Sequence, residues 1–179
     1  MTFSELEIQK IYGENLIYDM RKIYLTKGKF AIVDNEDYEW LSQWKWFAHR
    51  QRTGNFYAAR KGAYESGKQA TIYMHREILK PKRGLVCDHI NHAGLDNRRE
   101  NLRVCSGTEN RRNRTAQKNN TSGFKGVSWD KDANKWKAIV GLNGKLIHVG
   151  RFSDLKDAAF AYNEAAKRLF GRFAHLNKI

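Results

Sequence analysis

Apolar residues in the first half of the chain recur in short runs: Lys29-Phe30-Ala31-Ile32-Val33, Trp44-Lys45-Trp46-Phe47-Ala48, Asn55-Phe56-Tyr57-Ala58-Ala59 and Ala70-Thr71-Ile72-Tyr73-Met74. They are rich in aromatic and β-branched residues, and turn clusters such as Asp34-Asn35-Glu36-Asp37 and Thr53-Gly54-Asn55 separate them, so they predict strands over 23–83. A short helix fits near 37–43, and His75 to Leu79 reads as one or two helical turns stopped by Pro81. Residues 1–22 are a lead-in in which Phe3, Leu6, Ile8 and Ile11 fall near helical spacing until Gly13 breaks the pattern.

The second half has a different texture. Residues 117–122 carry almost nothing apolar and read as a linker. Over 123–179, Gly123 to Trp129, Lys135 to Val140 and Lys145 to Phe152 predict three short strands, the last two joined by an Asn143-Gly144 hairpin signal. On the middle strand Trp136, Ala138 and Val140 share one face, while Lys135, Lys137 and Ile139 share the other. A helix over 154–170 follows, with Asp154 as N-cap and Gly171 as its stop. Leu155, Ala158, Ala159, Tyr162, Ala165, Ala166 and Leu169 form its apolar stripe.

Composition narrows the class. The 179 residues carry a formal charge of +14 and 12% aromatic side chains. That many aromatics argue against a disordered basic tail, and the charge points to a polyanionic partner. No apolar run approaches the roughly 20 residues of a membrane span, and no basic-then-apolar leader opens the chain. Two cysteines without a CxxC pair build neither a disulfide framework nor a zinc ribbon; Cys87 and Cys105 read as structural thiols of a cytoplasmic protein.

The densest chemistry lies in 84–116. Asp88 and His89 follow an apolar lead of Leu85 and Val86, so a strand end can bring a carboxylate and an imidazole to one small volume. That pair suits phosphodiester hydrolysis: the acid holds a divalent cation and the histidine takes a proton from water. Glu100 to Cys105 predicts a returning strand, and Ser106-Gly107-Thr108-Glu109 fits a capping box that opens a helix carrying Asn110. Strand, loop, strand and helix make a ββα hairpin. Asn97 reads equally well as a turn residue, His92 as an exposed loop residue, and His75 as a packing or capping one. Arg111, Arg112 and Arg114 fit phosphate contacts beside such a site.

Val86-Cys87-Asp88-His89-Ile90, Leu95-Asp96-Asn97-Arg98-Arg99-Glu100-Asn101-Leu102-Arg103-Val104 and Thr108-Glu109-Asn110-Arg111-Arg112-Asn113 resemble an HNH endonuclease of the phage and intron homing branch. Thirteen positions separate Asp88 from Asn101 and nine separate Asn101 from Asn110, as in that branch. The resemblance implies that His89 is the general base, that Asp88 and Asn110 bind one Mg²⁺ (Mn²⁺ the alternative), and that Asn101 bonds backbone to keep the His89 strand aligned.

Gly123 to Trp129, Lys135 to Val140, His148 to Phe152 and Asp157 to Ala166 resemble an APETALA-two, or ethylene-response-factor-type, DNA-binding domain. That family lays a three-stranded sheet in the major groove, which implies Lys125, Ser128, Lys135, Lys137, Lys145 and His148 as the DNA-facing set. The expected fold is therefore α+β: an HNH ββα-metal core behind a β-rich N-terminal part, plus a small antiparallel sheet packed on one helix. The expected function is a site-specific, homing-type endonuclease that nicks duplex DNA as a monomer or weak dimer, with no membrane or obligate protein partner. A non-catalytic DNA-binding regulator and a nonspecific HNH nuclease are the rival readings.

Overall fold

Lys27 and Gly28 both adopt φ near 63° and reverse the chain between β1 (Met20–Tyr24) and β2 (Phe30–Asp34). The hairpin runs in register from Met20 opposite Asp34 to Tyr24 opposite Phe30. This computed structural model describes residues 20–52, 54–65, 67–117 and 119–179, so nearly all of the expected lead-in lies outside the described residues. The strand content begins earlier than the apolar runs suggest, because Met20 to Lys22 gain backbone partners from β2 that no local pattern reveals.

From β2 the chain enters α1 (Asn35–Ser42), then β3 (Phe47–Arg50), β4 (Phe56–Glu65) and β5 (Lys68–Tyr73), a three-stranded antiparallel sheet with β4 central. Helix α2 (Met74–Leu79) ends where Lys80, just before Pro81, takes the left-handed conformation. Strands β6 (Val86–His89) and β7 (Leu102–Cys105) form a two-stranded antiparallel ribbon. Alternation puts Ala31 and Val33 of β2 on one face, where they meet Leu41, Trp46, Ala58, Met74 and Leu102 in a single core. Trp46 stays there because its indole N–H donates to Leu41 O at 2.7 Å, satisfying the polar atom it buries.

The chain parts into two compact units between Ser106 and Gly107. The second contains α3 (Gly107–Arg112), β8 (Val127–Asp130), β9 (Lys135–Leu142), β10 (Lys145–Phe152) and α4 (Leu155–Phe170). Its sheet is antiparallel in the order β10-β9-β8. Positive φ at Asn143 (52°) and Gly144 (78°) makes the tight turn between β9 and β10. Asp154 caps α4, accepting from Lys156 N at 2.6 Å and Asp157 N at 3.1 Å. Ala138 and Val140 face Tyr162 and the alanines Ala158, Ala159 and Ala166, whose small side chains bring helix and sheet close together.

Two expectations change here. Leu169 drops out of the helix stripe: the buried row steps by four from Ala158 through Tyr162 and Ala166 to Phe170, and Leu169 falls on its flank, 36% exposed. Strand β8 starts at Val127 rather than Gly123, because Gly126 has φ 73° and a Cβ there would lie 2.1 Å from the Tyr162 ring. The whole is α+β, rich in short antiparallel sheets and sparing in helices.

Candidate active site

Antiparallel pairing of β6 with β7 sets Asp88 opposite Arg103 and His89 opposite Leu102. Cross-strand neighbours on one face interact. Arg103 accordingly donates to Asp88 Oδ2 from Nε at 2.9 Å and from Nη2 at 2.6 Å, and both side chains are buried. The same register sets Cys87 opposite Val104 and Cys105 opposite Val86, and the two cysteines form no disulfide.

His89, 5% exposed, has Nε2 at 3.2 Å from Asn97 Oδ1. A carbonyl oxygen only accepts, so Nε2 carries the proton and Nδ1 the lone pair. Burial pulls the His89 pKa below its usual value, with the Asn97 bond and the carboxylates of Asp96 and Asp88 pulling the other way. The imidazole is therefore neutral at pH 7, as a base must be.

Asn101 ties the loop between the two strands at both ends. Its backbone oxygen accepts from Ile90 N at 2.9 Å, its side-chain oxygen accepts from Asn91 N at 3.0 Å, and its Nδ2 donates to Asp96 O at 2.8 Å. Asp96 is held in turn by Arg98, through Nε and Nη2 at 2.8 Å each. The loop also borrows support from β2: Ile32 N donates to Leu95 O at 2.9 Å and Asn97 N to Ile32 O at 2.8 Å. Arg99 reaches α1, meeting buried Asp37 at 2.7 and 2.8 Å.

A wall of rings from β4 and α2 stands against His89. His75 of α2 meets it edge-on with centroids 4.9 Å apart, and Tyr57 of β4 lies at 5.4 Å from both histidines. Burial first, then the His89 and Arg76 charges, lower the His75 pKa to about 3. Sequence reasoning left Asn97, Arg103, Tyr57 and His75 outside the site. Asn97 sits among ordinary turn residues, and the two rings are remote in sequence, so only the folded chain brings them to His89.

Asn110 is half-buried on α3, in the second unit. Its neighbours are put to other uses: Arg111 Nη2 donates to Thr108 Oγ1 at 2.9 Å, and the Arg112 guanidinium lies 4.8 Å above the Phe170 ring. Arg114 is exposed. Among the described residues no three His, Cys, Asp or Glu side chains gather to hold a metal. A hard cation takes oxygen donors such as carboxylates and amides, with water and phosphate supplying the rest.

On the sheet of the second unit, Ser128, Lys137 and Arg151 line up across the three strands on the face turned away from α4. Arg151 joins a row that the sequence pattern did not give it. Asp130 sits beneath this row, 2.9 Å from Arg151 Nε and 3.7 Å from Lys137 Nζ, and these cations lower its pKa. Lys135 and His148 are exposed on the same face, opposite Asp130 and Ile139. Lys145 pairs with Leu142 and so belongs to the helix side at the sheet's end. Lys125 turns inward, half-buried, and its Nζ donates to Arg112 O at 2.5 Å.

Comparison with known proteins gives this geometry a family: the chain belongs to the HNH endonucleases. A protein of Acanthamoeba polyphaga mimivirus, named an uncharacterized HNH endonuclease, is 31% identical over 156 residues, covering 86% of this chain and 77% of its own. Protein 3.8 of Escherichia phage T7 is 36% identical over 92 residues, or 51% of this chain and 75% of that protein. No family model matches the chain.

Proposed function

We propose that the chain is a site-specific, homing-type endonuclease that hydrolyses a phosphodiester of duplex DNA with one divalent cation, Mg²⁺ before Mn²⁺, and nicks as a monomer. The observation that carries this reading is His89: a neutral imidazole whose tautomer Asn97 sets, beside the carboxylate of Asp88 at a strand end. In the proposed step His89 Nδ1 takes a proton from the attacking water, while Asn101 keeps the loop and strand end aligned. Asp88 and Asn110 would hold the cation, which when bound neutralises charge on the phosphate and the leaving oxygen.

The second unit serves as the reader. A three-stranded ribbon with Ser128, Lys137 and Arg151 across one face has the width and charge to enter a major groove, in the manner of an APETALA-two domain. Lys135, His148, Arg111 and Arg114 add phosphate contacts around it, and the formal charge of +14 supplies the long-range attraction.

One observation favours a second reading. Arg103 already occupies Asp88 Oδ2, as it would in a DNA-binding regulator that keeps the hairpin only as scaffold. Incubation of plasmid with Mg²⁺ or with EDTA separates the two. Mg²⁺-dependent nicking by wild type and its loss in His89→Ala support the enzyme; tight binding without cutting under any divalent metal supports the regulator. Scattered cut ends on a long substrate would defeat site specificity.

A further inference from the structure

His75 is an odd choice for the wall behind His89. It is 8% exposed, stacks on Tyr73 at 5.6 Å, and touches Tyr57 and His89 edge-on or tilted. A phenylalanine would fill that space without burying a polar ring. Instead His75 Nδ1 is sealed from solvent and has no hydrogen-bond partner among the described residues. Asn97 Nδ2, on the other neighbour of His89, is in the same condition. Unpaired buried polar atoms are uncommon and call for a reason. Two of them flank the one imidazole that the proposed reaction uses.

The protonation of His75 follows from this placement. An unpaired buried N–H is rarer and less well tolerated than an unpaired lone pair, so the proton resides on Nε2 and the lone pair on Nδ1. With its pKa near 3, the ring is neutral throughout the physiological range and brings no positive charge against His89. What remains is a neutral N–H donor on the ring packed edge-on at 4.9 Å to the base. In a site shielded from water, a fixed donor of this kind stabilises developing negative charge far better than it would in bulk solvent.

We propose that His75 is a second catalytic histidine, whose Nε2–H donates to a non-bridging oxygen of the scissile phosphate beside the water that His89 deprotonates; this rests on the endonuclease reading above. It brings α2 and with it the N-terminal part, for which the sequence offered no chemistry, into the reaction.

The full-length chain carrying His75→Phe or His75→Gln is compared with wild type in steady-state cleavage of a duplex with Mg²⁺. Phenylalanine keeps the ring packed against Tyr73 and His89 and removes both nitrogens; glutamine returns an N–H at a similar reach. The expected result for His75→Phe is a kcat lower by about 10- to 100-fold, the loss of one hydrogen bond to a charged group. KM should hold, the thermal midpoint should hold or rise, and His75→Gln should recover part of the rate. A His75→Phe enzyme with wild-type kcat overturns the proposal, since packing would then account for the residue. A second readout needs no turnover. In nitrogen NMR of histidine-labelled protein with EDTA, the His75 Nε2–H signal, assigned by its loss in His75→Phe, should move downfield when duplex is added, and an unmoved signal overturns the proposal as well. A chain that shows the shift yet never cuts with any divalent metal sinks the endonuclease reading and leaves the contact standing.

Discussion

Arg103 Nη2 lies 2.6 Å from Asp88 Oδ2, and the register of two short strands puts it there. Both partners are buried, so removing one strips the other of this close ion pair in a place shielded from water. Arg103→Met should lower stability by about 3–5 kcal/mol. The double variant Arg103→Met/Asp88→Asn should recover more than half of that loss, because the buried negative charge goes together with its cation. Urea denaturation of the four proteins of the cycle measures it; equal losses in the single and double variants would show that the pair is not the cause.

Acid should unfold the first unit early. The His75 pKa is about 3 when folded against 6.5 for an ordinary histidine, and burial lowers His89 in the same direction. The unfolded chain therefore binds protons first. Stability is complete above about pH 6.5 and is lost as pH falls toward 3. His75→Phe removes one of these groups and should flatten the slope of the urea midpoint against pH over that window. An unchanged slope would mean that His75 is not buried neutral.

Gly94 admits no side chain. A Cβ there would stand 2.5 Å from Phe56 O and 2.8 Å from the Tyr57 ring, so the loop between β6 and β7 rests directly on β4. Gly94→Ala should destabilise by about 1–3 kcal/mol through overpacking. It should also slow cleavage, since Tyr57 touches His89. Thermal melting and a cleavage assay on the same sample would show whether the two losses travel together.

Asp130 offsets the cations on the face proposed to meet DNA. It pairs with Arg151 and stands near Lys137, so Asp130→Asn leaves both cations to the solvent. Binding to duplex DNA should tighten at low salt, and the slope of log affinity against log salt should steepen by about one for each added phosphate contact. An unaltered slope would take this face away from the DNA.

Lys125 should behave differently from the exposed lysines. Its ammonium donates to Arg112 O, and burial lowers its pKa to about 8. Lys125→Met should lower stability by about 1 kcal/mol, the loss of one part-buried hydrogen bond, and leave the salt slope unchanged. Lys137→Met is expected to do the reverse.

How much of this was legible depends on whether neighbours in sequence or neighbours in space decide a residue's place. The α4 helix was plain, since Asp154, the alanine spacing and Gly171 all lie within one stretch, and the Asn143-Gly144 turn was equally local. Asp88, His89 and Asn101 stood out as polar residues at a recurring spacing. The grip of Arg103 on Asp88 depends on strand register. The approach of Tyr57 and His75 to His89 depends on how a sheet folds back over a hairpin. Arg151 joins its row only because β10 pairs with β9 through a bulge between His148 and Gly150. Leu169 leaves the buried stripe by the geometry of a single helical step.

The parallel bridge between Ile32 and Asp96 has a practical consequence for anyone wishing to shrink this chain. Two amide-to-carbonyl bonds from β2 brace the loop that follows His89, and a peptide cut out around that loop would surrender both. Dissection should preserve everything from Met20 onward, and a grafted hairpin would have to bring its own brace.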